Sequence, residues 1–354
     1  MDFEQDNNLP GPIGPQPAEP ISGLGATSPA QRPPKRGSGW RIFWGIVLGL
    51  SIMANFVLFL MLIGVVAVFA TGQRSGQLTE EVVRDGPARN KIVMVNVQGI
   101  IQGELAGDVY RQLKAARRDR RVKGLIIRVN SPGGTISASD QIYKQIQKFR
   151  DEEKKPVVAF MQGVAASGGY YASVACEKIV AEPTTITGSI GVISWYLVVQ
   201  ELLEEKLGVV PVTIKSGRKK DWPSSFRTPT DEELQYMQDK LISPALDRFV
   251  EVVAEGREGS LTRAEVEKIA EEAGIYGAKE ALEEKLIDEI GYLDEAIKLA
   301  KSLAGIGDAQ VVQYRKPFSL ADFMSYRKAS FPKLDRTTLY ELGTPQLLYL
   351  WSAY

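Results

Sequence analysis

The chain is 354 residues long, balances 43 Lys and Arg against 43 Asp and Glu, and contains one cysteine and no histidine. Zero net charge gives no general attraction to nucleic acid, and a lone cysteine supports neither a disulfide framework nor a multi-thiolate metal site. Without histidine, Ser-His-Asp triads, Cys-His dyads and histidine-ligated zinc are excluded, so nucleophilic catalysis would need Lys, Asp, Glu or Tyr as its base.

Residues 1–40 hold eight prolines, six glycines and few large apolar side chains. That composition buries too little surface to offset its ordering entropy and predicts a disordered tail. From Ile42 to Gly72 no residue is charged and most are apolar, a run longer than a bilayer core of about 30 Å requires. Arg32, Lys35, Arg36 and Arg41 precede it, whereas Arg74 and Arg84 on the far side are mixed with Glu80, Glu81 and Asp85. The positive-inside rule therefore predicts a cytoplasmic N-terminus and an extracytoplasmic remainder. Val68-Phe69-Ala70 loosely resembles a cleavage site, but the apolar run is about twice the usual ~7–15 residues of a signal peptide. Residues 41–72 thus read as an uncleaved transmembrane anchor, and 73–90 as a linker.

Beyond the linker the pattern alternates. Lys91–Val97 reads as a strand, Glu104–Arg120 as a helix with Leu105, Val109, Leu113 and Ala116 on one face, and Lys123–Val129 as a second strand. A helix opens at Ser137 and runs to about Glu153; strand Pro156–Met161, a buried helix Ser167–Cys176 and the short strand Lys178–Ala181 follow. Cys176 sits in an apolar stretch and reads as a core residue. Further on are a helix Trp195–Leu207, a strand Val209–Ile214 and a long helix Asp231–Glu255. Alternating strands and helices predict an α/β domain over 91–311, with a largely parallel sheet covered on both faces. Residues 312–354 are aromatic-rich without a regular period and read as a C-terminal extension ending in the apolar run Leu347–Tyr354.

Three Gly/Ser turns follow predicted strands: Asn130-Ser-Pro-Gly-Gly134, Gly163-Val-Ala-Ala-Ser-Gly-Gly169 and Thr187-Gly-Ser-Ile-Gly191. In open α/β sheets such turns converge on the crevice at the carboxyl ends of the strands. Ser167 is the best nucleophile candidate, because it joins a glycine-rich turn to a helix N-terminus and its glycine neighbours admit a substrate carbonyl. The N–H groups of Gly168 and of Gly133 or Gly134 are candidate oxyanion donors, each worth roughly 3–4 kcal/mol. A bare helix cap would explain Ser167 alone equally well. Lys215-Ser-Gly-Arg-Lys-Lys220 offers three candidate bases, Lys215, Lys219 and Lys220, because burial or nearby positive charge can leave a lysine neutral near pH 7. Spacing does not choose among them, and a solvated basic loop is the simpler account of the same residues. Ser189 can hold a lysine amine or cap a turn.

Four segments in order resemble the signal peptide peptidase A family, which has the ClpP/crotonase-like fold. Ala166-Ser-Gly-Gly-Tyr-Tyr171 is similar to its nucleophile motif and Arg128-Val-Asn-Ser-Pro-Gly-Gly134 to its oxyanion segment. Thr187-Gly-Ser-Ile-Gly-Val192 is similar to its third active-site turn and Lys215-Ser-Gly-Arg-Lys-Lys-Asp221 to its lysine loop. The family's lysine directly precedes Asp, which selects Lys220, and Ser189 matches the serine that bonds it. The resemblance runs from about Lys91 to Gly291 and implies a short, single-unit Ser/Lys endopeptidase. Ser167 would be the nucleophile, Lys220 the base, Ser189 its orienting group, and Gly134 and Gly168 the oxyanion donors, with no metal or organic cofactor. It also implies leftover signal peptides and other extended apolar peptides as substrates, and a ring-shaped homo-oligomer in which neighbours can share a dyad. Arg218 and Lys219 make the loop unusually basic, Trp222-Pro223 replaces smaller residues, and Lys285 stands where a glycine is usual. A type I signal peptidase would be mostly β, a crotonase-type acyl-CoA enzyme would use carboxylates, and a non-catalytic scaffold would not require Ser167 and Lys220. The apolar tail from Leu347 resembles an extended substrate and is expected either to lie in a groove as an inhibitor or to pack at a subunit edge.

Overall fold

The computed structural model describes residues 39–72, 78–316 and 346–351 and divides into two units, Met1–Gln73 and Arg74–Tyr354. In the first unit, α1 (Gly39–Gly72) is a single helix, and among the described residues it is the one helix long and apolar enough to cross a membrane. At 1.5 Å per residue it is about 50 Å long, which exceeds the bilayer core. The predicted tail, residues 1–38, lies outside the described residues.

The second unit is built on a sheet because its central strands are apolar on both faces. β1 (Thr79–Arg84) precedes β2 (Lys91–Gln98), whose first five residues are all buried. Val93, Val95 and Val97 face one core, and Ile92 and Met94 face another. A strand buried on both sides is the signature of a parallel sheet covered by helices. Helix α2 (Gly103–Arg118) covers the first face with Val109 and Leu113. β3 (Val122–Ser131) pairs parallel with β2, and the short β4 (Gly133–Thr135) follows it directly. α3 (Ile136–Glu153) is capped by Thr135, whose hydroxyl accepts from the Ala138 N–H. β5 (Val157–Ala166) and α4 (Gly168–Ser173) come next, then β6 (Lys178–Ala181), β7 (Ile186–Gly188) and β8 (Ile193–Trp195). Helices α5 (Asp231–Met237), α6 (Ser243–Gly256) and α7 (Arg263–Glu272) precede β9 (Ile275–Gly277) and α8 (Ala278–Glu283). β10 (Glu289–Ile290), α9 (Leu293–Leu303), β11 (Gln310–Arg315) and β12 (Gln346–Leu350) complete the order.

The main sheet runs β1-β11-β2-β3-β5-β6-β10, with β7 pairing the far half of β5 and β9 pairing β7. Every pair in it is parallel except β1–β11 and β7–β9. Helix α9 covers the second face with Ala296, Ile297 and Ala300. This is the expected α/β architecture. Cys176 is buried in the first core, where burial pushes its thiol well above the usual range.

One ion pair locks the domain's periphery to its sheet. Arg257, just past α6, is 5 % exposed; it donates to Asp288 (2.8 Å) and to the Lys285 carbonyl (2.9 Å). Asp288 also accepts from Lys178 and from the Ile179 N–H at the start of β6. Burial by itself would raise the Asp288 carboxyl, but Arg257 and these other donors hold it below its usual range. The carboxylate therefore adds stability above the unfolded pKa, near 4, and that stability is lost as pH falls toward the folded value. Replacing Asp288 with Ala leaves Arg257 buried without its charge partner and is expected to cost about 3 kcal/mol. In detergent micelles near neutral pH this should appear as a melting temperature lower by roughly 6–12 °C. The deficit should shrink as the buffer is acidified. An unchanged melting temperature would show the pair to be ornamental. The exposed Lys285 adopts φ 58°, a left-handed backbone that favours glycine, and Arg257 clamps its carbonyl.

Several expectations differ from the fold. Part of the expected linker, residues 79–84, is β1, which pairs with β11 across more than 200 residues; no local pattern announces such a partner. Trp195 does not open a helix. It ends β8, where its backbone pairs with Gln346, and helical turns begin only at Gln200. Val209–Ile214 forms no strand and has no sheet neighbour among the described residues, and Val210, Val212 and Ile214 are 72 %, 81 % and 96 % exposed. The expected long helix is α5 and α6 joined by a wider turn at Gln238–Ile242. Pro244 at the start of α6 lacks the N–H that a regular helix would need there.

Candidate active site

Ser167 stands between β5 and α4 with φ 52° and ψ −114°, a conformation that costs a non-glycine residue on the order of 1–3 kcal/mol. Two backbone bonds of 2.8 Å hold it there: its N–H donates to Gly188, and its carbonyl accepts from Tyr171. The residue is 1 % exposed, and its Oγ has no hydrogen-bond partner among the described residues. A buried hydroxyl without a partner costs roughly 1–3 kcal/mol. Backbone strain and an idle hydroxyl at one residue are a combination that packing alone does not favour. Helix α4 spans only Gly168–Ser173 rather than Ser167–Cys176, so its dipole contributes less than the longer helix would.

Three glycines form a cradle beside Ser167. Gly133 has φ 106°; a Cβ on it would lie 2.0 Å from the Tyr349 carbonyl oxygen and 2.8 Å from the Gly168 nitrogen. A Cβ on Gly168 would meet Ser139 Oγ at 2.5 Å and the same Tyr349 oxygen at 3.1 Å. Gly134 lies opposite Tyr349 in the antiparallel β4–β12 register. The Ile101 N–H donates to the Gly133 carbonyl, and the Thr135 N–H donates to the Ile101 carbonyl. Ile101 thus takes the groups on either side of Gly134 and leaves the Gly134 amide facing β12. Trp351 N–H donates to Pro132 at 2.8 Å, and hydrogen-bonded pairs recur every second residue of an antiparallel ladder. Gly134 and Tyr349 are therefore such a pair, and one carbonyl, that of Tyr349, rests where the Gly133, Gly134 and Gly168 backbones converge. Ser131 braces the turn by accepting from the Gly133 N–H (3.1 Å) and donating to the Gly99 carbonyl (2.6 Å).

Ser189 comes close through strand pairing. Ala166 pairs with Gly188 in the β5–β7 ladder, so the two serines each follow one member of a paired couple. Ser189 is 9 % exposed, left-handed at φ 51°, and anchored by its N–H to Gly274 at 2.7 Å.

The lysine loop is a short turn, Arg218–Asp221. Lys215 donates to Asp221 (2.6 Å) and to the Arg218 carbonyl (3.1 Å), and this lysine is the first cause that holds the Asp221 carboxyl below its usual range. Lys219 lies 4.0 Å over the Tyr236 ring and 5.2 Å over Trp222. Lys220 is exposed; its backbone N–H donates to the Gly217 carbonyl at 3.1 Å, and its side chain makes no hydrogen bond, ion pair or ring contact among the described residues. The chain therefore brings Ser167, Ser189, Gly134 and Gly168 together, but Lys220 and Ser167 do not touch within it.

The sequence reading did not foresee an aromatic pocket against the cradle. Tyr349 is fully buried; its ring stacks on Tyr171 at 5.0 Å and meets Phe249 at 4.6 Å, and its hydroxyl donates to the Ala245 carbonyl at 2.7 Å. Tyr143 packs edge-on against Tyr171, whose hydroxyl donates to Asp140 at 2.6 Å. Burial, the largest cause in each case, raises all three tyrosine phenols, that of Tyr143 to about 12. The double tyrosine after Ser-Gly-Gly was the one sequence signal of this pocket.

A family model described as peptidase family S49 matches residues 149–307, and one described as Clp protease matches residues 81–185. The chain is 38 % identical over 252 residues to a putative signal peptide peptidase SppA of Enterococcus faecium, covering 68 % of this chain and 72 % of that one. It is 39 % identical over 197 residues to a putative protease of Methanocaldococcus jannaschii, covering 56 % of this chain and 61 % of the other. It is 34 % identical over 241 residues to Protease 4 of Haemophilus influenzae, covering 66 % of this chain and 37 % of that longer one.

Proposed function

We propose, for a chain that belongs to peptidase family S49 and is a serine-type peptidase, that Ser167 and Lys220 form its catalytic dyad. The observation that carries this reading is the buried, strained Ser167 with an unpartnered hydroxyl beside a three-glycine cradle. Ser167 Oγ attacks a peptide carbonyl while neutral Lys220 takes its proton, and the Gly134 and Gly168 N–H groups bind the oxyanion. Lys220 passes the proton to the leaving amine, and water then releases the acyl group by the same route. Ser189 orients Lys220.

Lys220 reaches Ser167 from a neighbouring copy in a ring-shaped homo-oligomer. Two facts support this. The Lys220 side chain has no partner among the described residues. The segment leading to it exposes Leu207, Val209, Val210, Val212 and Ile214, an apolar run of the kind that marks an interaction surface. Covering that arm with a second copy would take Lys220 out of water, and a desolvated amine favours its neutral form. Helix α1 anchors the chain. The basic residues before it place the N-terminus in the cytoplasm and the catalytic unit outside, where remnant signal peptides and other extended apolar peptides are the substrates.

The test is hydrolysis of fluorogenic apolar peptides by the full chain in detergent micelles, with its assembly state measured in the same sample. Turnover of extended apolar peptides is expected. A correctly assembled chain that cleaves none of several such peptides would leave a non-catalytic scaffold as the better reading.

A further inference from the structure

We infer that Arg128, with Asn96 and Arg315 beside it, forms a binding subsite for a carboxylate, and that its occupant is the free C-terminal carboxylate of a peptide. The inference rests on the peptide-substrate reading above and deepens it, because it names the end of the peptide that the protein recognises.

The subsite follows from where the second face of the sheet turns polar. Ile92 and Met94 of β2, Ile126 of β3 and Phe160 of β5 belong to the core beneath α9. Alternation puts Asn96 and Arg128 on that same face, two residues further along their strands. The β2–β3 register pairs the two directly, and Arg128 in turn pairs with Phe160. An arginine thus stands at the rim of an apolar core. It is only partly exposed, and its guanidinium makes no hydrogen bond or ion pair among the described residues. Its Nε and the neighbouring Asn96 Oδ1 are both buried without a partner. Burial, and after it the positive charge of Arg315, draw the Arg128 guanidinium below its usual range. Arginine nevertheless stays charged, and a charge set into a fold is ordinarily paired. Arg257 obeys that rule through Asp288; Arg128 does not.

Nearby groups are committed elsewhere. Glu81 accepts from Gln313 at 2.6 Å and pairs with Arg315, and Glu182 accepts from Gln162 at 3.0 Å. Asn96 Nδ2 donates to Gln313 at 3.3 Å, which ties the neighbour of Arg128 to the Glu81–Arg315 pair. Asn96 and Arg315 also line a cavity of about 390 Å³, so space for a ligand adjoins them.

Three features choose the ligand. A guanidinium fork matches a planar carboxylate through two parallel hydrogen bonds. Arg128 and Arg315 set against Glu81 leave one net positive charge, which suits a monoanion better than a phosphate dianion. The subsite also lies on the segment that runs into the glycine cradle: Arg128 precedes Gly134 by six residues, so at ~3.3 Å per residue it lies within about 20 Å of the cradle. A peptidase has peptide carboxylates at hand. Each cleavage makes one, and a remnant signal peptide ends in the carboxylate that its release created. The reaction that supplies this ligand is therefore an earlier peptide-bond hydrolysis.

The test is binding to the full-length Ser167→Ala chain in detergent micelles. The probe is a labelled apolar tetrapeptide, short enough to occupy the subsite alone, carrying either a free C-terminal carboxylate or a C-terminal amide. The acid is expected to bind about ten-fold more tightly than the amide. Adding Arg128→Gln should bring that ratio to about one. Where the glutamine variant does not fold, Arg128→Lys keeps the charge but not the fork and should lower the ratio to about three. Acid and amide binding within two-fold of each other in the Ser167→Ala chain, or neither binding, would overturn the subsite. So would a ten-fold preference that survives the change at Arg128. Acetate and inorganic phosphate are then compared as competitors of the acid peptide at equal ionic strength. Phosphate competing no better than acetate is expected; phosphate competing ten-fold more strongly would assign the site to phosphate and overturn the peptide. Loss of assembly in Arg128→Gln, with acid and amide bound alike before the change, would give the guanidinium to a carboxylate of a neighbouring copy instead. No arm needs turnover, so the subsite is decided even where the wild-type chain hydrolyses nothing, an outcome that removes the peptidase reading alone. A wild-type chain that hydrolyses peptides but does not distinguish acid from amide would remove the subsite and leave the peptidase.

Discussion

Ser167→Ala is expected to lower kcat on extended apolar peptides by about 10⁴-fold or more, with KM changed by no more than a few-fold. The substitution removes one atom, and that atom makes no hydrogen bond among the described residues. Nothing that holds the fold is therefore lost: the strained backbone is kept by the N–H bond to Gly188 and by the carbonyl's bond from Tyr171, and alanine retains both. Melting temperature should stay the same or rise slightly, since a buried hydroxyl without a partner is a net cost. A collapse in rate with no loss of stability separates a nucleophile from a structural serine, which would show the opposite. A variant that keeps activity within ten-fold would move the nucleophile elsewhere, with Ser131, Ser189 and Thr187 the other hydroxyls on the converging turns.

The sheet was legible because its chemistry is local. Val93, Val95 and Val97 alternate with Ile92 and Met94, and that pattern alone demands two covered faces. The glycine turns were legible for a related reason: Gly133 and Gly168 sit where a side chain would collide with a neighbouring backbone or hydroxyl, so the sequence carries the constraint openly. What escaped depended on partners far along the chain. β1 and β8 take their strand form from β11 and β12, 236 and 151 residues away in the Thr79–Arg315 and Trp195–Gln346 pairs, and Trp195 read as helical because nothing near it reveals that pairing. Val209–Ile214 is a different case. Its composition is that of a strand, and no strand among the described residues pairs with it. The residues have the pattern of a contact that the described residues do not supply. Lys220 is a comparable case: only the resemblance to the family's lysine loop selects it as the expected base, and its side chain is exposed among the described residues.

Lys220→Ala is expected to depress kcat by about 10³-fold or more while leaving stability within roughly 0.5 kcal/mol, because an exposed lysine without contacts contributes little to folding. Lys219→Ala, which loses only its stacking on Tyr236 and Trp222, should retain most of the activity. Lys215→Ala leaves Asp221 with Arg227 at 3.6 Å as its remaining charge partner and is expected to fall between the two. The decisive form of the experiment is a mixture. Ser167→Ala and Lys220→Ala chains are each expected to be nearly inactive alone. If the dyad is drawn from adjacent copies, a one-to-one mixed ring contains interfaces where an intact Ser167 meets an intact Lys220. Random assembly across a head-to-tail interface makes these about one in four, so about a quarter of wild-type activity should return. If both groups come from one chain, no interface in the mixture is whole and nothing returns. Recovery would also account for the exposed arm from Leu207 to Ile214: the surface that delivers the lysine would be the surface that holds the neighbour, so the peptidase could not act before it assembled. A verified mixed assembly that stays inactive, alongside an active wild type, would place the base within the chain that carries Ser167.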